Sequence, residues 1–282
     1  MFFKRLQFLH KIIFFFVLFL VLSLFLPLFP VENVESLLTA ATFIFAVLYG
    51  FEISMAIGNF NNIKTQLAIE NADLVSIHRF AKIRGGEIFE KIDCAVEAYL
   101  MKAIDYPLTE HLQTEKEFSA IFEPLCGAAQ TSEEHKNQAL QYIFEAAYYL
   151  PQTRNLVATF APRFVTTSVW VMLIVLASIL VLLILLNRGS DLLSVITTAI
   201  FCTTIAGSLV LLNDIDSNAI QERELEYEEF NKSLKAIGKT HYYPEFAIRS
   251  GIIKPPRGVS YRKGIFPEFP ALTNREMIVV VG

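Results

Sequence analysis

Four long stretches of this chain are almost free of charged residues, and each approaches or reaches the length of a membrane span. A transmembrane helix needs about 20 mostly apolar residues to cross about 30 Å of hydrocarbon. The four stretches are residues 12–29, 37–57, 164–186 and 192–212. Hydrophobic residues make up 54% of the whole chain, and 25 residues are phenylalanine, which is too apolar for an ordinary soluble protein. The sequence therefore predicts an integral membrane protein with four transmembrane helices.

Basic residues near the ends of these stretches predict their orientation. Lys and Arg are concentrated before the first stretch, after the second and after the fourth, whereas residues 29–36 carry none and residues 187–191 carry only Arg188. Cytoplasmic loops are enriched in Lys and Arg, so we expect both termini and the middle segment on the cytoplasmic side of the cell (inner) membrane. The first stretch resembles a signal peptide but has no small-x-small cleavage site near Pro27, so we expect it to remain as a helix ending there.

The segments between the spans are predicted to be helical, which gives an all-α membrane protein with long cytoplasmic extensions. No Pro or Gly interrupts the chain between Asn59 and Arg84, so the second helix is expected to run from residue 37 to 83. A later helix is expected to end at Pro151. The predicted divisions are transmembrane helices 1 and 2 in 1–57, a cytoplasmic helical region in 58–163, transmembrane helices 3 and 4 in 164–212, a cytoplasmic helix in 213–237, and an extended Pro/Gly-rich tail in 238–282.

The chain contains none of the common catalytic or nucleotide-binding motifs. Its five histidines are far apart, and its three cysteines form neither a CxxC nor a Cys/His pair. The net charge of −4 does not suggest nucleic acid as a partner. We therefore expect no enzyme activity, no cofactor, no bound metal and no disulfide.

One stripe of the second span has the composition of a pore constriction. Phe43, Val47 and Phe51 are spaced four residues apart, and the small polar residue Ser54 follows them. Bulky apolar residues followed by small polar ones suit a hydrophobic neck that opens into a wet vestibule. Any apolar span shows such a stripe, however, so an ordinary lipid-facing helix is the alternative.

Glu52 is an ionisable residue inside an apolar span. Such residues are costly in lipid and usually face a bundle interior or a watery cavity, although this one is close enough to the interface to pair with Lys or Arg. It is a candidate for ion selectivity. The other candidates are polar residues near the two ends of the second span, Glu32, Glu35, Asn59, Asn61 and Asn62.

Two further acidic features have open interpretations. Asp214 and Asp216 close the fourth span, where they either bind cations or cap a helix. Glu70 interrupts a heptad stripe that includes Leu67 and Leu74, where it faces a pore or pairs across helices.

Three motifs together resemble the bestrophin-like family, in particular its bacterial bestrophin-like domain. They are Tyr49-Gly50-Phe51, the following Asn59-Phe60-Asn61, and Asp214-Ile215-Asp216. The chain departs from bestrophins in having Ile44 where the neck has Pro, Asn59-Phe60-Asn61 where Arg-Trp-Trp is usual, and no acidic calcium-clasp run. Calcium gating is therefore not expected.

This resemblance implies a homopentameric ion channel whose second helix lines the pore, with Phe43, Val47 and Phe51 at the neck. The acidic candidates favour monovalent cations such as potassium. The expected partners are further copies of the chain, the lipid bilayer and permeant ions. An anion (chloride) channel and a non-conducting membrane scaffold or sensor are the alternatives.

Overall fold

The computed structural model describes residues 2–26, 34–129, 138–216 and 222–281, and most of them are helical. The long helices are α1 (Phe2–Phe25), α2 (Val34–Arg84), α3 (Gly86–Asp105), α6 (Gln138–Phe160), α7 (Thr167–Leu186), α8 (Leu192–Asp216) and α9 (Glu222–Ala236). The shorter elements are a 3₁₀ helix (Leu108–Thr114), α4 (Glu115–Ala120), α5 (Glu123–Ala129), β1 (His241–Pro244), α10 (Glu245–Arg249), β2 (Tyr261–Ile265) and β3 (Glu276–Val280). The chain forms two compact units, unit 1 (Met1–Phe60 with Arg163–Ile220) and unit 2 (Asn61–Pro162 with Gln221–Gly282).

Unit 1 contains the apolar helices. In the described residues, four helices are long and apolar enough to cross a membrane: α1, α2, α7 and α8. An 18-residue window of helix α7 has a mean hydropathy of 3.3, yet only 22% of this window is buried within the chain. Apolar surface exposed on this scale requires lipid around it. This confirms the predicted fold class of a helical membrane protein with four transmembrane helices.

The helix ends differ slightly from the prediction. Helix α1 begins at Phe2 and ends at Phe25, before the expected end near Pro27. Helix α2 begins three residues earlier than expected and ends at Arg84, where Gly85 adopts a φ of 70°. A positive φ is readily available only to glycine, which explains why the long helix stops there.

Several Ser and Thr hydroxyl groups within the spans bond to their own helix. Thr197, Thr203 and Thr204 of α8 donate to carbonyl oxygens four residues earlier, at 2.8, 2.6 and 2.9 Å. Ser178 of α7 does the same at 2.8 Å. Because hydrocarbon offers no hydrogen-bond partner, these local bonds make polar side chains tolerable in a span.

Helices α1 and α8 pack closely. Phe19, Ala199 and Cys202 are buried together in their contact. A Cβ atom at Gly207 would lie 2.8 Å from Cδ1 of Ile12. Small residues let transmembrane backbones approach one another, so Gly207 sets the distance between these two helices.

Unit 2 has one hydrophobic core. The core residues that α2 contributes are Ile63, Leu67, Leu74, Ile77 and Ala81, the heptad stripe seen in the sequence. The other helices contribute fully buried side chains that include Ile92, Leu100, Ile143, Leu150 and Phe230. The part of the α2 stripe that lies in unit 2 is therefore used for packing within the chain.

Glu70 lies inside this core. It is fully buried, and the Tyr99 hydroxyl donates to its Oε1. Nearby, Arg154 donates to Glu115 at 2.5 Å and its guanidinium carbon lies 4.3 Å from the centre of the Phe118 ring. Of the two interpretations of Glu70, the structure supports pairing between helices.

Helix α6 continues past Pro151 to Phe160, beyond the predicted end. Proline inside a helix removes one backbone hydrogen bond. Leu150 and Val157 are fully buried on either side of it, so the packing of this helix outweighs the lost bond.

The C-terminal segment differs from the predicted extended tail. Strands β1 and β2 pair in parallel, and β2 pairs antiparallel with β3, in a three-stranded sheet. The Asn231 side chain of α9 accepts from the Tyr242 backbone N–H at 2.7 Å and donates to the Tyr242 carbonyl at 3.0 Å. The amide thus pairs with β1 as a neighbouring strand would. The segment is anchored because its first strand is hydrogen-bonded to a buried residue.

Ion pairs add to this anchor. Lys239 lies 2.8 Å from both Asp93 and Glu97 of α3, and Arg262 of β2 also pairs with Glu97. Burial would raise the pKa of both carboxyl groups, but hydrogen bonds from Lys239 and its neighbours outweigh it, so both pKa values are lowered. The charged forms of Asp93 and Glu97 therefore stabilise the docked segment at neutral pH.

Gly264 makes room for Tyr242. A Cβ atom at Gly264 would lie 2.0 Å from the Tyr242 hydroxyl oxygen, and Tyr242 is fully buried. We expect Gly264→Ala to push this ring out of place and to destabilise the C-terminal sheet by about 1–3 kcal/mol. Limited proteolysis checks this: cleavage after residue 238 should become faster. Gly258→Ala, in the same segment, is the control for replacing a glycine by alanine. Its Cβ would meet no atom within 4 Å, although its φ of 73° adds backbone strain. Equal protease resistance of Gly264→Ala and wild type would contradict the prediction.

Asp105 is the buried acid of this region. Its Oδ1 accepts from the Tyr242 hydroxyl at 2.6 Å, and its Oδ2 pairs with Arg275 at 2.7 Å. Burial raises the pKa of Asp105 to about 6, against the opposing charge of Arg275. An unfolded Asp titrates near about 3.9, so between these pH values the folded protein binds more protons than the unfolded chain. The contribution of Asp105 to stability is thus present at low pH and is lost as the pH rises through about 6.

Asp105→Asn removes this titration. We expect the stability of the variant relative to wild type to improve by about 2 kcal/mol as the pH is raised from about 4.5 to about 7.5. Melting curves of both proteins across this interval measure the change. Asp93→Asn is the matched control, because the pKa of Asp93 is lowered and its titration lies below the interval. A pH-independent difference between Asp105→Asn and wild type would show that Asp105 does not titrate there.

Candidate functional site

One face of α2 in unit 1 is fixed against α7 and α8. Phe45 and Ala56 are buried in a cluster with Leu173, Ala177, Leu180 and Leu212. The Tyr49 hydroxyl donates to the Ser208 carbonyl at 3.1 Å, and the rings of Phe45 and Tyr49 stack with centroids 5.7 Å apart. These contacts determine which side of α2 remains uncovered.

The uncovered side carries the predicted neck residues. Phe43, Val47 and Phe51 are 70%, 43% and 65% exposed, and Ser54 is also exposed. Their spacings of four, four and three residues put them on a single stripe of the helix. The structure therefore brings all four predicted neck residues to one free face of the chain.

Glu52 and Asn59 are not part of this stripe. At about 100° per residue, Glu52 lies about 180° from Phe43, on the same side as the buried Phe45 and Ala56. Glu52 is half-buried and makes no ion pair with any Lys or Arg of the described chain, while Asn59 is buried. Neither residue therefore lies on the neck face. Their role in selectivity stays a prediction.

The remaining selectivity candidates lie at the ends of the span. Glu35 is exposed in the first turn of α2, and Glu32 lies outside the described residues. Asn61 and Asn62 are exposed at the start of unit 2. Their part in ion selectivity stays a prediction.

Asp216 has a full set of protein partners. Its Oδ1 accepts from the backbone N–H groups of Phe164 and Val165 at 2.9 and 2.8 Å, and its Oδ2 accepts from the Trp170 indole at 3.3 Å. Asp216 thus holds the chain that leads into α7. Asp214 is 3.8 Å from Lys11, and the described residues contain no cluster of three or more His, Cys, Asp or Glu side chains that could hold a metal ion.

A stripe of small residues beside the neck was not singled out from the sequence. Every fourth residue of α2 is small over four turns: Thr42, Ala46, Gly50, Ser54 and Gly58. A Cβ atom at Gly50 or Gly58 would meet no atom within 4 Å, so packing within one chain does not require glycine at either position. The small-x-x-x-small spacing was the available signal, because it is typical of helix contacts in membranes.

Comparison with protein families gives one match: a model of the Bestrophin-like domain matches residues 11–217. The chain belongs to the Bestrophin-like family. Neither the curated proteins nor the solved structures contain a match to it.

The bestrophin-like match confirms the resemblance seen in the three motifs, and it makes this chain a member of a family of ion channels. The matched region contains α2, the whole neck stripe and both Asp214 and Asp216. The C-terminal sheet lies beyond its end at residue 217.

The bonds of Asp216 predict a structural role. Asp216→Ala would leave two backbone N–H groups and an indole N–H without their acceptor, which we expect to destabilise the protein by about 1–3 kcal/mol. Asp214→Ala should cost less than about 1 kcal/mol, because a partly exposed ion pair at this distance is weak. Melting temperature and the emission of Trp170, the only tryptophan in the chain, measure both effects. A larger loss in Asp214→Ala would favour the cation-binding hypothesis instead.

Proposed function

We propose that this chain forms an ion channel by assembling as a closed ring of five copies around α2. The exposed stripe of Phe43, Val47 and Phe51 is the observation that carries the proposal. A single copy leaves these apolar side chains uncovered on a helix whose opposite face is packed against α7 and α8. In a ring, the stripe would line the axis as a hydrophobic constriction.

The small residues beside the stripe support close assembly. Ala46, Gly50 and Ser54 are exposed and lie next to the neck residues on α2. Small side chains permit neighbouring membrane helices to approach closely, which a narrow neck of several α2 helices requires. The free space around Gly50 and Gly58 is where a neighbouring copy would fit.

We propose monovalent cations such as potassium as the permeant ions. No Lys or Arg occurs in α2 before Lys64, and Glu35 is exposed in the first turn. With the termini on the cytoplasmic side of the inner membrane, five copies of Glu35 would form an acidic ring at the outer mouth. Such a ring concentrates cations. The neck stripe itself is uncharged, so in this proposal the acidic ring at the outer mouth sets the preference for cations.

Ion flux through the purified protein in liposomes tests the function. We expect the wild type to pass potassium and sodium in preference to chloride, and Phe51→Ala to raise the flux several-fold because it widens the constriction. Glu35→Gln should weaken the preference for cations. Phe201→Ala is the matched control, because Phe201 is an equally exposed phenylalanine on α8.

The other outcomes distinguish the alternatives. Chloride flux that Phe51→Ala increases would keep the α2 pore and reverse the selectivity. An equal effect of Phe201→Ala and Phe51→Ala would contradict the pore assignment. No flux of any ion, together with a monomer or dimer by light scattering, would favour a membrane scaffold.

A further inference from the structure

A second feature of unit 1 stands apart from the α2 stripe and from the proposed channel function. A cleft of about 840 Å³ lies between α1, α7 and α8. Its lining includes Lys11 and Arg163 with the apolar Phe14, Ile174 and Leu209. The described residues that line it come from α1, α7, α8 and the segment that leads into α7, and none comes from α2.

The basic residues of the cleft lie at one end of the helix bundle. Lys11 directly precedes the long apolar run of α1 and is 3.8 Å from Asp214 near the end of α8. Arg163 directly precedes Phe164, whose N–H is bonded to Asp216. The apolar residues follow farther along the helices. The cleft is therefore cationic at the expected membrane surface and apolar towards the membrane interior.

The two basic residues of this cleft differ in their partners within the chain, because only Lys11 has a carboxylate close to it, that of Asp214. Arg163 is exposed and has no ion pair with a carboxylate of the described residues. Lys11 is 51% exposed, and its distance to Asp214 is longer than a hydrogen bond. Asp216, the other nearby acid, is occupied by the three N–H groups that it accepts from. The two cations can therefore donate to an anion from outside.

A cation pair above an apolar groove fits a molecule with an anionic head and a hydrocarbon chain. Basic pockets between transmembrane helices on the cytoplasmic side are suited to lipid phosphate groups. Trp170 also lines the cleft, and tryptophan favours the level of the lipid head groups. Lipid already surrounds the exposed faces of these helices, so this ligand is present where the cleft opens.

We propose that this cleft binds an anionic phospholipid. Arg163 and Lys11 hold the head-group phosphate, His10 lies beside them, and an acyl chain lies along Phe14, Ile174 and Leu209.

Trp170 makes the proposal testable, because it is the only tryptophan of the chain and lies in the cleft. The full chain is placed in phosphatidylcholine bilayers with a small, constant fraction of lipid brominated on its acyl chains. This lipid carries either a phosphatidylglycerol or a phosphatidylcholine head group. Bromine quenches tryptophan on contact, so the ratio of the two quenching curves gives the relative affinity for the anionic head group.

We expect wild type to prefer brominated phosphatidylglycerol. A basic residue at an anionic membrane surface contributes about fivefold in affinity, so Arg163→Gln and Lys11→Gln should each lower the preference about fivefold. Arg163→Lys should keep most of it. Arg188→Gln is the control for a cation elsewhere in unit 1 and should leave the ratio unchanged. Unaltered quenching by brominated phosphatidylcholine verifies that Trp170 has not moved in a variant.

Three results would overturn the proposal. Equal quenching of wild type by the two lipids would show that the cleft has no preference for anionic lipid. An equal loss of preference in Arg188→Gln and Arg163→Gln would assign the preference to the general surface charge. Recovery of Trp170 emission with inorganic phosphate, but not with chloride at the same ionic strength, would make the cleft a site for free phosphate.

Discussion

In unit 1, helix α2 is anchored by contacts along one face, and the candidate site depends on that constraint. In unit 1 the face is anchored by Phe45, Ala56 and the hydrogen bond from Tyr49 to Ser208. In unit 2 the heptad stripe of α2 is buried in a separate core. Because a helix cannot turn without breaking such contacts, the stripe of Phe43, Val47 and Phe51 remains uncovered. This uncovered apolar stripe is the surface that the proposed assembly of several copies would use.

Polar groups near the ends of the spans divide into two kinds. Asp216 is directed inwards and joins the end of α8 to the start of α7, because three N–H groups need an acceptor where water is scarce. Arg163 and Lys11 are exposed, and Arg163 has no carboxylate partner among the described residues, whereas Lys11 lies 3.8 Å from Asp214. The first kind stabilises the bundle, and the second is the basis of the proposed site for anionic lipid.

The C-terminal segment is an addition to the family domain that the rest of unit 2 holds in place. The Bestrophin-like match ends at residue 217, before α9 and the sheet. Asn231 binds the backbone of β1, and Asp105 holds both Tyr242 and Arg275. Because burial raises the pKa of Asp105 to about 6, the stability of this anchor changes with pH above the range in which exposed carboxyl groups titrate.

The sequence by itself determined the four spans, the length of α2 and the stripe of Phe43, Val47 and Phe51. Hydropathy, the absence of Pro and Gly, and a spacing of four residues are local properties that a helix converts directly into structure. Only the tertiary structure decided that Glu52 lies on the packed side, that Asp216 is a hydrogen-bond acceptor for α7, and that Tyr242 anchors a sheet. Each depends on a partner far away in the chain, such as Phe164 for Asp216 and Asp105 for Tyr242. Contacts between residues so far apart in the chain follow from how the helices pack. No local pattern of residues encodes that packing.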